Sequence, residues 1–252
     1  MFRMVGSSSL IFHNMMIVGA YTHGGTHDAT LQHAHGIDLR GTSAEVSSVN
    51  ISNVAGDCVY FGLGYDNTTR SSGNYHDSSC TSIGRNAASF VAANNATAQH
   101  ITTDKIGYTA FDVEPNGVGS DGSQNITVTN NTIGSYYLYA FSVIESAPNS
   151  GEYFTNNTIN ATQGMRIGIV NPGGTASRPN NVNITGNVAT VATGSPAVNV
   201  VNTDILNVTN NTIPMNGGTM ASVNSSCKVN VSGNSYPGGS TQATITNTVT
   251  SC

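Results

Sequence analysis

Residues 206–213 read Leu206-Asn207-Val208-Thr209-Asn210-Asn211-Thr212-Ile213, an alternation of apolar and polar residues interrupted by an asparagine pair. Alternation with a period of two is typical of a strand with one buried face, and asparagine accepts the left-handed backbone of a tight corner. This motif recurs along the chain. Its last asparagine, which follows either another asparagine or a glycine, lies at Asn131, Asn157, Asn187, Asn211 and Asn234, at intervals of 23 to 30 residues. A strand and a turn repeated at this interval predict a solenoid, and an all-β repeat predicts a parallel β-helix.

A second alternating segment follows each copy of the phrase, as in Ala110-Phe111-Asp112-Val113-Glu114. When these segments are aligned, the positions on one side of the strand hold only apolar residues. The two inward columns are Ile37, Val59, Ala88, Phe111, Phe141, Ile167, Val198 and Ala221, and Leu39, Phe61, Phe90, Val113, Val143, Ile169, Val200 and Val223. The column between them is mostly polar and is predicted to meet solvent. We therefore predict an all-β fold with one right-handed parallel β-helix domain over residues 1–252, in about eight to ten coils.

The composition agrees with this architecture and excludes several classes of protein. Only 8% of the residues are charged and the formal net charge is -5. A nucleic-acid binder needs clustered Lys and Arg, which this chain lacks. No apolar run is long enough to predict insertion into a membrane. Identical residues stack on one another in such a sheet, so Asn and Thr ladders are favoured over columns of like charge.

Four cysteines are present, and both pairs are close in sequence. In an exported protein they could form the disulfides Cys58–Cys80 and Cys227–Cys252, one of three connectivities. Four unpaired thiols are the alternative. The first ten residues lack the apolar segment of a signal peptide and already resemble part of a coil. We therefore expect a fragment of a longer exported protein that lacks its N-terminal part.

The candidate catalytic residues come from residues 23–116, which hold most of the His, Asp, Arg and Glu. Asp112 and Glu114 lie two residues apart on one predicted strand, so both point outward with Cα atoms about 6.5–7 Å apart. Two carboxyl groups at roughly this distance can act as acid and base, or as acid and nucleophile, on a glycosidic bond. Arg85 precedes the strand one coil earlier and could hold the carboxylate of a uronate in a bidentate pair. We predict these three residues as catalytic.

Two other interpretations of the carboxylates stay open. They could bind a structural Ca²⁺ together with backbone carbonyls, or they could lie at the surface and form an ion pair with Arg85. A groove across several coils would need further polar and aromatic groups. The predicted substrate-binding residues are His35, Asp38, Arg40, Asp57, Tyr60 and Asn116. Tyr75 and Tyr108 are further candidates for stacking on sugars, whereas the tyrosines within residues 136–139 are predicted to serve strand packing.

Four sequence motifs, in this order along the chain, resemble motifs of a known family. They are Gln32…His35-Gly36-Ile37-Asp38-Leu39-Arg40-Gly41, Gly56-Asp57-Cys58-Val59-Tyr60, Gly84-Arg85, and Phe111-Asp112-Val113-Glu114-Pro115-Asn116. The chain is similar over roughly residues 5–235 to the exported bacterial and phage right-handed parallel β-helix repeat proteins of the pectin-lyase-like superfamily. The paired Asp-Asp and Arg-Ile-Lys set of the polygalacturonases is absent, as is the Asp-Pro-His arrangement of the mannuronan epimerases.

The resemblance implies polysaccharide chemistry in a groove along one sheet. We expect an exported carbohydrate-active protein, a polysaccharide lyase or glycoside hydrolase, that cleaves or modifies an acidic polysaccharide. The alternative is a non-catalytic glycan-binding or structural module of a phage tailspike, which would be a trimer, or of a surface adhesin. The expected location is extracellular or on a virion surface, with polysaccharide as the partner. No cofactor is predicted apart from the Ca²⁺ considered above.

Overall fold

A computed structural model describes residues 1–115, 122–144, 150–170 and 178–247. The two sheets of the fold enclose one apolar bore, and all paired strands are parallel. The first sheet has ten strands, in the order β1 (Phe2–Val5), β3 (Ile37–Arg40), β5 (Val59–Gly62), β7 (Ala88–Phe90), β9 (Phe111–Val113), β12 (Phe141–Ile144), β15 (Ile167–Val170), β18 (Val198–Val201), β20 (Thr219–Asn224) and β22 (Thr241–Thr246). The second sheet has twelve strands: β2 (Leu10–Val18), β4 (Ser43–Ser52), β6 (Ser71–Ile83), β8 (Ala93–Ile106), β10 (Gln124–Thr129), β11 (Thr132–Ile133), β13 (Ser150–Thr155), β14 (Thr158–Ile159), β16 (Asn180–Thr185), β17 (Val188–Ala189), β19 (Ile205–Thr209) and β21 (Lys228–Ser232).

The register of the first sheet confirms the predicted inward columns. Ala88 pairs with Phe111, which pairs with Phe141, and the same register continues from Ile37 to Ala221. Every member of both columns is buried. Removing one such large apolar side chain from water contributes about 1.5–3 kcal/mol, so the bore is the main source of stability.

The all-β parallel solenoid is confirmed, but it has about seven turns rather than the predicted eight to ten.

The asparagine pairs form the corners of the second sheet. The first residue of a pair adopts the left-handed backbone, with φ of 54° at Asn130, 55° at Asn156 and 56° at Asn210. The second residue is buried and forms a ladder from coil to coil, in which Nδ2 of Asn157 donates to Oδ1 of Asn187 at 2.9 Å. The prediction that these asparagines serve a ladder is confirmed.

The prediction that the outward column of the first sheet meets solvent is wrong in the N-terminal half. Asp38, Ser89 and Asp112 are fully buried although they point away from the bore. Arginine side chains lie over two of them, because Arg3 and Arg40 donate to Asp38 and Arg85 donates to Ser89. Only further along the sheet, at Asn199 and Ser222, is the outward column partly exposed.

The predicted disulfide between Cys58 and Cys80 is present, and it joins two buried residues at the bore. Cys80 lies in β6 of the second sheet, whereas Cys58 directly precedes β5 of the first sheet, so the bond ties the two sheets together. The predicted partner of Cys227 is Cys252, which lies outside the described residues, as does Asn116.

Candidate functional site

Arg85 is at the centre of a network of ion pairs on the outer side of the first sheet. Its Nη1 donates to both carboxylate oxygens of Asp57, at 3.0 and 3.3 Å, and its Nη2 donates to Glu114. Burial would by itself raise the pKa of Asp57, but the charge of Arg85 and the hydrogen bond with His35 outweigh it, so this pKa lies below its ordinary value. The guanidinium is therefore already neutralised by two carboxylates of the protein.

Asp112 is enclosed by hydrogen bonds. Oδ1 accepts from the Ser142 hydroxyl, and Oδ2 accepts from Nδ2 of Asn86 at 3.3 Å. Burial and the neighbouring charge of Glu114 raise the pKa of Asp112 to about 8. A buried carboxyl group therefore keeps its proton at neutral pH, next to a second carboxyl group that faces Arg85.

The residues around Tyr60 form a second closed group. Asp38 accepts from Nε of Arg3 and from Nε of Arg40, both at 2.7 Å. The Arg40 guanidinium lies 4.3 Å from the centre of the Tyr60 ring, and the His35 ring stacks on Tyr60 at 4.6 Å. The two groups meet at His35, because its Nδ1 lies 3.2 Å from Oδ2 of Asp57.

The structure thus brings eight of the nine predicted site residues into one continuous network, and Asn116 lies outside the described residues. The network is closed rather than open. His35, Asp38, Asp57 and Asp112 are fully or almost fully buried, and Tyr60 is only 5% exposed. Of the predicted catalytic residues, Glu114 has the most exposed side chain, at 32%. The ion pair between Glu114 and Arg85 is the one that the third interpretation of the carboxylates predicts.

An open groove, which the sequence did not predict, lies further along the same face of the sheet. It has a volume of about 550 Å³. Its lining includes Tyr139, Gln163, Arg166, Ser195, Asn199 and Ser222. We call this the Arg166 groove. Asn199 and Ser222 belong to the outward column of strands β18 and β20, so the floor of the groove is the sheet itself.

Arg166 is exposed, and its guanidinium lies 5.8 Å from the centre of the Tyr139 ring. No acidic side chain among the described residues forms an ion pair with Arg166, in contrast to Arg3, Arg40, Arg85 and Arg178. Gly168 makes room for the Tyr139 ring, since a Cβ atom at this position would lie 2.6 Å from it. The backbone beneath is fixed, because the Arg166 N–H donates to the Tyr136 hydroxyl at 2.9 Å.

The residue types of the outward column indicate this groove, although weakly. The outward column changes from Asp and Tyr in the first coils to Gly168, Asn199 and Ser222 in the later ones. Small side chains leave space above a sheet, and the arginine before β15 stands next to that space. The concentration of charge in the N-terminal half directed the sequence analysis elsewhere.

Neither a metal-binding cluster nor a membrane-spanning helix is found among the described residues. Across the described ranges, no three or more His, Cys, Asp or Glu side chains are placed to hold a metal ion together. None of the described residues forms a helix that is long and apolar enough to cross a membrane.

Comparison of the chain with protein-family models, with curated proteins and with solved structures gave no match. The fold of the chain is thus shown to be a parallel β-solenoid, whereas no family is shown. The likeness to the pectin-lyase-like superfamily rests on the sequence phrases quoted above.

Proposed function

We propose that the protein binds an acidic polysaccharide across the outer face of the first sheet, in the Arg166 groove. One observation carries this proposal. A guanidinium that no acid of the described residues neutralises lies beside the Tyr139 ring at a groove of about 550 Å³. A planar guanidinium matches a carboxylate in geometry and charge, so the sugar unit at this place would be a uronate or a related acid.

The remaining lining suits a carbohydrate as well. Asn199 and Ser222 offer an amide and a hydroxyl group, which can donate to and accept from sugar hydroxyls. Both project from paired strands of the first sheet, so little backbone freedom would be lost on binding. This rigidity supports a binding surface that recognises an extended polymer.

A location outside the cytoplasm forms part of the proposal. The disulfide between Cys58 and Cys80 supports it, because structural disulfides persist in oxidising compartments. We propose an exported or virion-surface module, and the sequence resemblance to β-helix repeat proteins supports the same assignment.

Cleavage or modification of the same polysaccharide, as by a lyase or glycoside hydrolase, is the second candidate function. It is favoured by the pKa of about 8 at Asp112, next to Glu114. A protonated carboxyl group beside a second carboxyl group resembles a general acid and its partner base. Arg85 would then hold the base in place rather than the substrate. A substrate could reach only the exposed third of Glu114, whereas Asp112 is fully buried.

The binding proposal is tested with immobilised polygalacturonate and biolayer interferometry, at low and at physiological salt. Arg166→Ala should weaken binding about tenfold or more, since a hydrogen bond to a charged group contributes about 1.5–3 kcal/mol. Lys228→Ala is the matched control, because it removes one positive charge from an exposed position on the second sheet. Equal losses in the two variants, or none in Arg166→Ala, would contradict the proposal.

The catalytic candidate is tested separately by following new reducing ends and unsaturated products in the same polysaccharide. Turnover that disappears in both Asp112→Asn and Glu114→Gln, with binding retained, would favour the enzyme. Binding without turnover in the wild-type protein would leave the binding module as the function.

A further inference from the structure

An aromatic pocket shares the segment 137–139 with the Arg166 groove. Its walls are His27, Tyr108 and Tyr137, together with Gly25, Thr26 and Gly107, and its volume is about 430 Å³. This volume falls within the range of about 300–1,000 Å³ that small-molecule sites occupy. Tyr137 is 68% exposed, so a large aromatic side chain stands in solvent at the mouth of the pocket. We call this site the aromatic pocket.

The pocket is built from three separate segments of the chain. The segment 19–36 runs along the outside of the solenoid and contacts successive coils. The N–H of Gly19 donates to the carbonyl of Ser52 at 2.8 Å, and the N–H of Gly25 donates to the carbonyl of Ile83 at 3.1 Å. It brings His27 against Tyr108, with ring centres 5.0 Å apart. Gly107 permits the approach, because a Cβ atom at this position would lie 2.8 Å from the backbone of Thr26. The site is therefore held by backbone contacts as well as by side chains.

The third segment connects the aromatic pocket to the Arg166 groove. The N–H groups of Tyr137 and Leu138 both donate to the carbonyl of Tyr108, at 3.2 and 2.8 Å. Tyr137 faces the aromatic pocket, and Tyr139, two residues further on, lines the Arg166 groove. The Cα atoms of Tyr137 and Tyr139 are at most about 7 Å apart, so one short segment contributes a wall to each site.

The two sites differ in charge. Among the described residues, no Asp, Glu, Lys or Arg lines the aromatic pocket, whereas the groove contains Arg166. The face of an aromatic ring carries partial negative charge, which attracts the slightly positive C–H groups on the apolar face of a pyranose. The same faces repel a carboxylate. The aromatic pocket therefore favours an uncharged sugar ring.

We propose that the aromatic pocket is a subsite for a neutral sugar, next to the acidic sugar held by Arg166. The inference rests on the proposed function and deepens it, because it specifies the substrate class. The preferred ligand is a heteropolysaccharide in which acidic and neutral units are neighbours. A polymer made only of uronates fills the groove and leaves the aromatic pocket without a suitable ring.

The test uses three probes of known composition: hyaluronan, in which glucuronate alternates with N-acetylglucosamine; polygalacturonate, which is acidic throughout; and dextran, which is neutral. Wild-type protein should bind hyaluronan more tightly than polygalacturonate. Tyr137→Ala should weaken hyaluronan binding about tenfold, as expected for the loss of one stacked ring, and leave polygalacturonate binding unchanged. Tyr65→Ala is the matched control, since Tyr65 is 66% exposed and lies in the loop after β5.

The outcomes separate this inference from the proposed function. If Tyr137→Ala leaves hyaluronan binding intact while Arg166→Ala abolishes binding, the neutral subsite is overturned and the groove stands. If Tyr137→Ala weakens hyaluronan or dextran binding while Arg166→Ala has no effect, the aromatic pocket stands and the acidic site fails. Equal losses in Tyr137→Ala and Tyr65→Ala overturn the inference, and thermal melting verifies that each variant is folded.

Discussion

Replacing Asn211 by alanine should destabilise the protein far more than the same change at Asn207, four residues earlier in the same strand and corner. Asn211 is buried, and its Oδ1 accepts from the backbone N–H of Asn187 and from Nδ2 of Asn187, both at 2.9 Å. Its Nδ2 donates to the carbonyl of Ile184 and to Oδ1 of Asn234, again both at 2.9 Å. The side chain thus connects three coils through four hydrogen bonds.

The expected loss follows from the groups left behind. Without Asn211 Oδ1, a backbone N–H and a side-chain N–H of Asn187 are buried without this acceptor. Each unsatisfied buried group costs about 1–3 kcal/mol. The two donors alone predict a loss of about 2–6 kcal/mol, and partial relaxation of the corner favours the lower half of this range. Asn207 lies on the outer side of its strand and donates one ladder bond, to Asn183 at 2.9 Å. Its loss should cost about 0.5–1.5 kcal/mol.

Urea denaturation followed by far-ultraviolet circular dichroism measures both variants against the wild-type protein. The slope of the free energy with urea should stay the same if unfolding remains cooperative. Because each coil of a solenoid contacts only its neighbours, a second, earlier transition in Asn211→Ala would show that the C-terminal coils detach first. Losses of similar size at Asn211 and Asn207 would refute the reasoning, since the ladder would then contribute no more than a surface hydrogen bond.

Two further predictions concern the disulfide and the buried carboxyl group. Replacing both Cys58 and Cys80 by alanine should lower the free energy of unfolding by about 3 kcal/mol, because the bond closes a loop with a sequence separation of 22; an unchanged denaturation midpoint would contradict this. The raised pKa of Asp112 means that the folded protein keeps a proton that the unfolded chain loses, so stability should fall as the pH rises from about 4 to about 8. Asp112→Asn should remove up to about 1.4 kcal/mol per pH unit of this slope, and a slope that persists in the variant would show that other groups cause it.

The fold could be predicted in detail from the sequence because the bore imposes one requirement on every coil. A column that faces the interior must stay apolar, and a shift by one residue would turn that whole column outward. Phe111, Phe141 and Ile167 therefore identified both the strands and their register. The asparagine corners could be predicted equally well from the sequence, since few residue types adopt the left-handed backbone seen at Asn130 and Asn210.

The state of the outward face could not be predicted in the same way. Alternation shows that Asp112 points away from the bore, but it does not show what lies above it. Asp112 is covered because Ser142 and Asn86 come from neighbouring coils to bind it. Such contacts depend on whether a side chain is long enough to reach the next strand, about 4.8 Å away. The periodicity of the sequence does not predict them. The residue types of the network were found from the sequence, whereas its closed state was not.

Stacking also explains why charge in this chain is a poor guide to a binding surface. An arginine in a coil whose neighbours carry acids can reach them, so Arg85 binds Asp57 and Glu114. A ligand carboxylate at this place would have to displace two partners that are already fixed. The residues that directly precede β12 and β18, the neighbours of β15, are alanines, so Arg166 has no acid in the corresponding place on either side. A cation in a solenoid stays available to a ligand only where the adjacent coils carry no acid at the corresponding position, and the sparsely charged half of the chain meets this condition at Arg166.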